Sequence, residues 1–208
     1  MARPITSPLV LASHNQGKLV EIRDLLKPFA LEVVSAAEKK VNEPEETGTT
    51  FAENAALKAM HSAKATGLIA LADDSGLSVA GLDGAPGIYS ARWAGERKDF
   101  YAAMQRIHDE LISNGINPQG AEASFVCNLV LGWPDGHLEH VEGAIQGTLT
   151  FPPRGHKGFG YDPIFIPAGY DVTFAQMDAN IKHRISHRGQ AFALLATRLK
   201  TCSITEAV

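Results

Sequence analysis

Two adjacent carboxylates, Asp73 and Asp74, end an apolar run and stand immediately before Ser75-Gly76, while a second acidic pair, Glu45-Glu46, precedes Thr47-Gly48. Like charges side by side are costly unless a cation offsets them. Cleaving a phosphoanhydride needs a hard cation to screen the attacking and leaving oxygens, and carboxylates held in loops suit such a cation. The pattern points to a magnesium ion held by Asp74 and by Glu45 or Glu46, with Asp74 also orienting or deprotonating water. For the glutamates, a solvated loop pair is the plainer alternative.

Ser13, His14, Asn15, Gln16, Gly17 and Lys18 lie between an apolar strand pattern and a helical one. Free backbone N–H groups and the positive helix end favour a phosphate there, and Lys18 adds a mobile point charge. The segment is not a P-loop, because Leu19 follows the lysine where a magnesium-binding hydroxyl is required. Asn15 offers its amide to a nucleotide or acts as a local turn cap. Lys58, at helical spacing from Asn54, reaches a phosphate while Asn54 holds the neighbouring loop, or both face solvent.

Phe159-Gly160-Tyr161-Asp162 places two aromatics around a glycine. One ring can stack on a flat base if its other side is supported, and the other can plug a sheet edge. Asp162 is an acceptor for Lys18 or for the substrate. Near the C-terminus Lys182, His187 and Arg188 either converge on a triphosphate and base edge or form a basic surface patch, with Ser186 as a helix N-cap. No HExxH or G-x-S-x-G pattern is present, which argues against zinc-protease and serine-hydrolase chemistry.

These groups need elements to carry them. Leu9 to Ala12 reads as a strand and Leu19, Ile22, Leu25, Leu26 and Phe29 as a helix face, with Leu31 to Val34 returning as a strand. Thr50 with Glu53 makes a capping box for an Ala-rich helix from Phe51 to Thr66. A strand from Leu68 to Ala72 delivers Asp73-Asp74 at its end, and Leu77 and Val79 form a second extended piece. A helix spans Asp99 to Ser113, and the runs flanking Pro134-Asp135-Gly136 form an antiparallel hairpin. A short strand covers Ile164 to Pro167 and a last helix Gly189 to Lys200. The expected architecture is one domain over 1–208, a mixed α/β sheet with flanking helices.

At 208 residues and net charge −4 the chain suits one sizeable core. No run of Lys or Arg exceeds a pair, which disfavours a nucleic-acid partner. Cys127 and Cys202 form neither a CxxC pattern nor a disulfide framework. The absence of a membrane-length apolar run or a secretory leader gives the expectation of a cytoplasmic protein with no membrane partner.

In order, Ser13 to Lys18, Glu45 to Gly48, Phe51-Ala52-Glu53-Asn54-Ala55, Ala72 to Leu77, Gly84 to Arg92, Phe159 to Pro163 and Ile185 to Gly189 resemble the Ham1 or inosine triphosphate pyrophosphatase family, which acts on non-canonical purine nucleotides. The resemblance runs from about Leu9 to Leu199. It implies an elongated α/β fold of two lobes around a central nucleotide-binding cleft, a homodimer, and magnesium-dependent hydrolysis of the α–β phosphoanhydride. ITP, dITP and XTP would be preferred over ATP and GTP, with a nucleoside monophosphate and pyrophosphate as products. By motif, Asp74, Lys18 and Lys58 are catalytic, Ser13 to Lys18 bind phosphate, and Glu45 or Glu46 joins Asp74 at the metal. Ser75, Phe159, Gly160, Tyr161, Asp162, Lys182, His187 and Arg188 contact the nucleotide. His14 departs from the small glycine common at its position, and Asn180-Ile181 replaces an acidic pair, a change expected to affect only the surface. A related pyrophosphatase for methylated or pyrimidine nucleotides, or a nucleotide-sensing module without turnover, are the other readings.

Overall fold

Short apolar runs become the strands of a sheet. In the computed structural model, which describes residues 3–201 and 204–206, they are Ile5–Ser7 (β1), Leu9–Leu11 (β2), Val33–Ser35 (β3) and Ala70–Val79 (β4). Glu122–Gly132 (β5), Leu138–Leu149 (β6) and Phe165–Pro167 (β7) follow. The six-stranded sheet has the order β3-β2-β4-β5-β6-β7. β2 runs parallel to β3 and β4, and β7 antiparallel to β6. Every residue of β2 is buried, and its unbroken apolar sequence suits a parallel strand covered on both faces. The helices are Gln16–Leu26 (α1), Phe51–Thr66 (α2), Ser90–Trp93 (α3), Phe100–Ser113 (α4), Ala179–Ile185 (α5) and His187–Thr201 (α6). This is the mixed α/β fold, a sheet with flanking helices, that the sequence predicts. β1 also pairs in parallel with Ile204–Glu206 (β8), a partner outside the sequence reading. Cys202 lies outside the described residues.

The chain divides into two compact units. The first takes the chain up to Asp74, then Cys127–Gly143, then the chain from Gly189 on. In it α1 buries Leu19, Ile22 and Leu26, three positions on one helical stripe, among Ile5, Leu9, Leu11 and Leu129. The alanines of α2 permit close approach: Ala55, Ala59 and Ala63 are fully buried. A Cβ on Gly132 of β5 would come within 3.1 Å of the Ala59 backbone. The same helix buries Asn54, Lys58 and Ser62, so its inward face of small alanines carries three polar groups spaced one turn apart.

The second unit is Ser75–Val126 with Ala144–Arg188. Its helix α4 starts at Asp99, whose side chain accepts from the Ala102 N–H at 3.0 Å, and buries Ala103, Met104, Ile107 and Leu111. These pack in a core with Leu77, Val79, Phe125, Phe165 and Phe174. The Phe125 and Phe165 rings meet edge to face at 4.8 Å. Phe125 is therefore core.

Several boundaries differ from the sequence reading. β4 is one strand through Asp73 and Asp74, so the carboxylates do not mark a strand end and Leu77 and Val79 continue the same element. The last helix starts at His187, and Lys182 sits on the separate short helix α5 before it. Among the described residues no helix is long and apolar enough to cross a membrane.

Candidate active site

Adjacent residues on a strand point to opposite faces, and this separates the two aspartates of β4. In the first unit Asp74 Oδ1 accepts from Lys58 Nζ at 2.5 Å, and Glu46 Oε1 lies 2.9 Å from the same nitrogen. Asp73 instead holds Lys18: its Oδ1 is 2.6 Å from Lys18 Nζ, and its Oδ2 accepts a 3.3 Å bond from the buried Cys127 thiol. Each carboxylate thus has its own lysine. The two lysines offset the like-charge cost that the sequence suggested.

The Lys58 side chain is 9% exposed, as is that of Asp74. Burial alone would lower the Lys58 ammonium, yet the Asp74 and Glu46 charges together hold it above its usual range. Burial raises the Asp74 carboxyl above the ordinary carboxylate range, and the Lys58 and Lys18 ammonium groups pull part of that rise back. A buried carboxylate of raised basicity suits a proton acceptor. Asp74 Oδ2 is buried without a hydrogen-bond partner. Among the described residues no group of three His, Cys, Asp or Glu side chains is arranged to hold an ion. Two carboxylates on one ammonium, one with an unpartnered oxygen, are nevertheless a sufficient protein contribution for magnesium, which takes one or two carboxylates plus water and phosphate oxygens. Glu45 is exposed and Glu46 is the glutamate brought to Lys58.

Around Lys18 the loop organises itself. Ser13 Oγ accepts from the Asn15 N–H at 3.2 Å, and Asn15 Oδ1 accepts from the Lys18 N–H at 3.3 Å, so Asn15 is the N-cap of α1. Gln16 is exposed and Gly17 half-buried at the helix start. Glu43 fixes His14: the His14 N–H donates to Glu43 Oε1 at 3.1 Å and the His14 Nδ1 lies 3.2 Å from the same carboxylate.

The second unit gathers a different set. Lys182 Nζ is 2.6 Å from Asp162 Oδ2, with both side chains buried. The Phe159 N–H donates to the same oxygen at 2.8 Å. The partner of Asp162 is therefore Lys182, whereas Lys18 is engaged by Asp73. Gly158, at φ +70°, keeps this turn open, since a Cβ there would strike Asp162 Oδ2. Tyr161 is the plug: it is 2% exposed, its hydroxyl donates to the Ser90 carbonyl at 2.8 Å, and burial pushes its phenol pKa up. Phe159 stays half-buried, with Lys182 Nζ 5.0 Å and the Arg188 guanidinium 5.7 Å from its ring. Arg188 donates to Ser75 Oγ at 2.9 Å, and His187 stacks on Phe125 at 4.7 Å. Lys182, His187 and Arg188 are all buried, so they are not a surface patch. Gly160, at φ +65°, makes the bend between the two aromatics. Ile181 packs against the core of this unit, so the Asn180-Ile181 departure is not confined to the surface.

Sequence reasoning missed Cys127 as a contact of Asp73 and Ser90 as the anchor of Tyr161. Both contacts join residues far apart in the chain and carry no local signal.

A family model described as the Ham1 family matches residues 9–198. The chain belongs to the Ham1 family. Its Ham1 relatives include proteins named dITP/XTP pyrophosphatase from Rhodospirillum centenum, 60% identical over 91% of this chain and 93% of that one, and from Zymomonas mobilis, 57% identical over 92% of each. The solved structure of a HAM1 protein from Coxiella burnetii superposes with a TM-score of 0.85 at 40% identity, covering 94% of this chain and 98% of that one. All the Ham1 motifs described above fall within the matched span except the last residue of the resemblance, Leu199.

Proposed function

We propose that this chain hydrolyses the non-canonical purine nucleoside triphosphates ITP, dITP and XTP to the nucleoside monophosphate and pyrophosphate, clearing them from the cytoplasmic nucleotide pool. One observation carries the reading: Asp74 presents a buried carboxylate oxygen without a hydrogen-bond partner beside two lysines, in a Ham1 chain whose relatives bear that activity in their names. Asp74 takes a proton from water as the water oxygen bonds to the α-phosphorus, the α–β bridging bond breaks and pyrophosphate leaves. Lys18, Lys58 and the N–H groups of the Ser13 to Lys18 segment offset the phosphate charge. Glu46 and Asp74 are the residues that would hold a magnesium ion, which supplies further positive charge to the phosphate oxygens.

In the second unit Phe159, backed by two cations, stacks the base, while Lys182 and Arg188 present donors to its edge. Donors pair with a 6-oxo group and meet no acceptor in the 6-amino group of adenine, which favours hypoxanthine and xanthine over adenine. Incubation with ITP and magnesium should give IMP and pyrophosphate. IDP with orthophosphate would refute the bond assignment, higher kcat/KM for dTTP, UTP or a methylated nucleotide than for dITP would refute the base assignment, and binding without product would indicate a sensor.

The proposal includes a homodimer. Tyr89 and Tyr101 of the second unit are 50% and 67% exposed, and the half-buried Trp93 ring lies 3.7 Å from the Arg106 guanidinium. Exposed aromatics of this kind are enriched in interfaces. Sedimentation equilibrium should give twice the 22.3 kDa chain mass; a persistent single-chain mass at high concentration would count against it.

A further inference from the structure

The segment that carries Glu46 has no sheet or helix of its own, since residues 41–48 are irregular. Its backbone must be fixed by other groups if Glu46 is to reach Lys58 repeatedly. The Val41 N–H bonds the Ala36 carbonyl at 2.9 Å and Glu43 accepts from the His14 N–H at 3.1 Å, and nearer Glu46 three bonds come from α2. The Gly48 N–H donates to Asn54 Oδ1 at 2.8 Å, the Thr49 N–H to Glu53 Oε2 at 2.7 Å, and Lys58 Nζ to Glu46 Oε1 at 2.9 Å. Glu53 makes its bond in an exposed setting, where water competes. Asn54 is fully buried, so its bond to Gly48 is the protected one.

Asn54 and Lys58 stand four residues apart on the buried face of α2. One turn of helix therefore grips the segment at Gly48 and again at Glu46. Gly48 fits the contact because a Cβ there would collide with Asn54 Oδ1 and Glu53 Cβ. The arrangement has a stability cost: Asn54 Nδ2 is buried without a hydrogen-bond partner. A donor left in that state keeps the full desolvation penalty of its burial. A helix face that packs through Ala55, Ala59 and Ala63 gains nothing from such a residue for packing alone.

We infer that Asn54 is a positioning residue for the reaction: its amide oxygen pins the Glu45 to Gly48 segment to α2, which sets Glu46 against Lys58 and so beside Asp74. The inference rests on the proposed hydrolysis for its kinetic arm only. Asn54 touches no reacting atom and acts through Glu46.

Two measurements test it. In the first, kcat for ITP is compared among the wild type, Asn54→Ala, Glu46→Gln and the double variant. Loss of an outer supporting residue typically lowers activity ~10–100-fold. Because Asn54 acts through Glu46, the double variant should be no slower than Glu46→Gln alone, whereas a merely structural residue would multiply the two losses. Multiplied losses would overturn the inference.

The second measurement needs no turnover. Amide hydrogen exchange in residues 43–48 should speed up in Asn54→Ala while exchange in β2 and β4 stays as in the wild type. Unchanged exchange in 43–48, or faster exchange throughout the first unit, would overturn the inference. Should Asn54→Ala fail to fold, Asn54→Asp serves, since it keeps an oxygen for the Gly48 N–H. Wild-type exchange in 43–48 is then expected, and rapid exchange there would refute the tether. A wild type that releases no pyrophosphate refutes the hydrolysis reading, while the exchange result still decides the tether.

Discussion

Asp74→Asn should lose about two to four orders of magnitude in kcat for ITP, the range that a positioned general base contributes. The amide keeps the shape of the carboxylate but has neither its charge nor its basicity. In the wild type kcat/KM should rise with pH through the ionisation of Asp74, above the usual aspartate value of about 3.9 because burial raises it. The variant should lack that limb. Stability should move the other way. A carboxyl whose folded pKa is raised contributes stability that is fully present below its unfolded pKa and lost as pH rises through the folded value. Once pH exceeds the folded value the wild type has lost that contribution and Asp74→Asn, which cannot ionise, keeps it, so the variant should gain on the wild type in thermal melting as pH rises. Lys58, also raised, has its contribution fully present below the unfolded lysine value of about 10.4 and lost only as pH rises through its folded value. Alkaline melting of the wild type should therefore include loss of the Lys58 contribution, and Asp74→Asn, which removes the largest charge raising Lys58, should show less of it. Near-normal kcat in the variant at saturating magnesium would remove Asp74 from the chemistry.

The sequence made the carriers of this site visible more readily than its pairings. The helical stripe Leu19, Ile22 and Leu26 and the apolar run Leu9–Leu11 are periodic signals from residues close in the chain, and both elements form where the pattern places them. The N-cap at Thr50 was equally local. Its side chain accepts from the Glu53 N–H at 3.1 Å, although the Glu53 carboxylate reaches the N–H of Thr49, one residue before the reciprocal position of a capping box. Asp73 and Asp74 looked like one acidic pair because the sequence reading ended their strand too early. Once the strand continues, its alternation assigns them to different lysines, Lys18 and Lys58, one 55 residues away and the other 16. No pattern in composition or periodicity encodes which of two lysines a carboxylate will meet. The choice between Phe159 and Tyr161 was hidden for the same reason: it depends on Ser90 offering a carbonyl 71 residues earlier, which buries one ring and leaves the other half-exposed.

Lys182→Met should be the most damaging single change in the second unit. The Lys182 and Asp162 side chains are 6% and 4% exposed and lie 2.6 Å apart. Removing one member of a buried pair strands the other charge, typically at about 3–5 kcal/mol. The Phe159 N–H still reaches Asp162, but a neutral donor does not replace an ammonium. Adding Asp162→Asn removes the stranded charge, so Lys182→Met with Asp162→Asn should recover most of the stability in urea unfolding. Selectivity should not recover with it. An ammonium carries three donors, and Asp162 Oδ2 takes one of them. A bond from this ammonium to a 6-oxo group would be charge-assisted and worth about 1.5–3 kcal/mol. In the double variant the ratio of kcat/KM for ITP over ATP should therefore fall by roughly tenfold or more, at 1.4 kcal/mol per decade. Retained discrimination in that stable variant would move base recognition to Arg188 and reduce Lys182 to a structural partner of Asp162. Failure of the double variant to regain stability would show that the ammonium packs over Phe159 and Phe174, 5.0 and 5.6 Å from their ring centres, with an energy comparable to its ion pair.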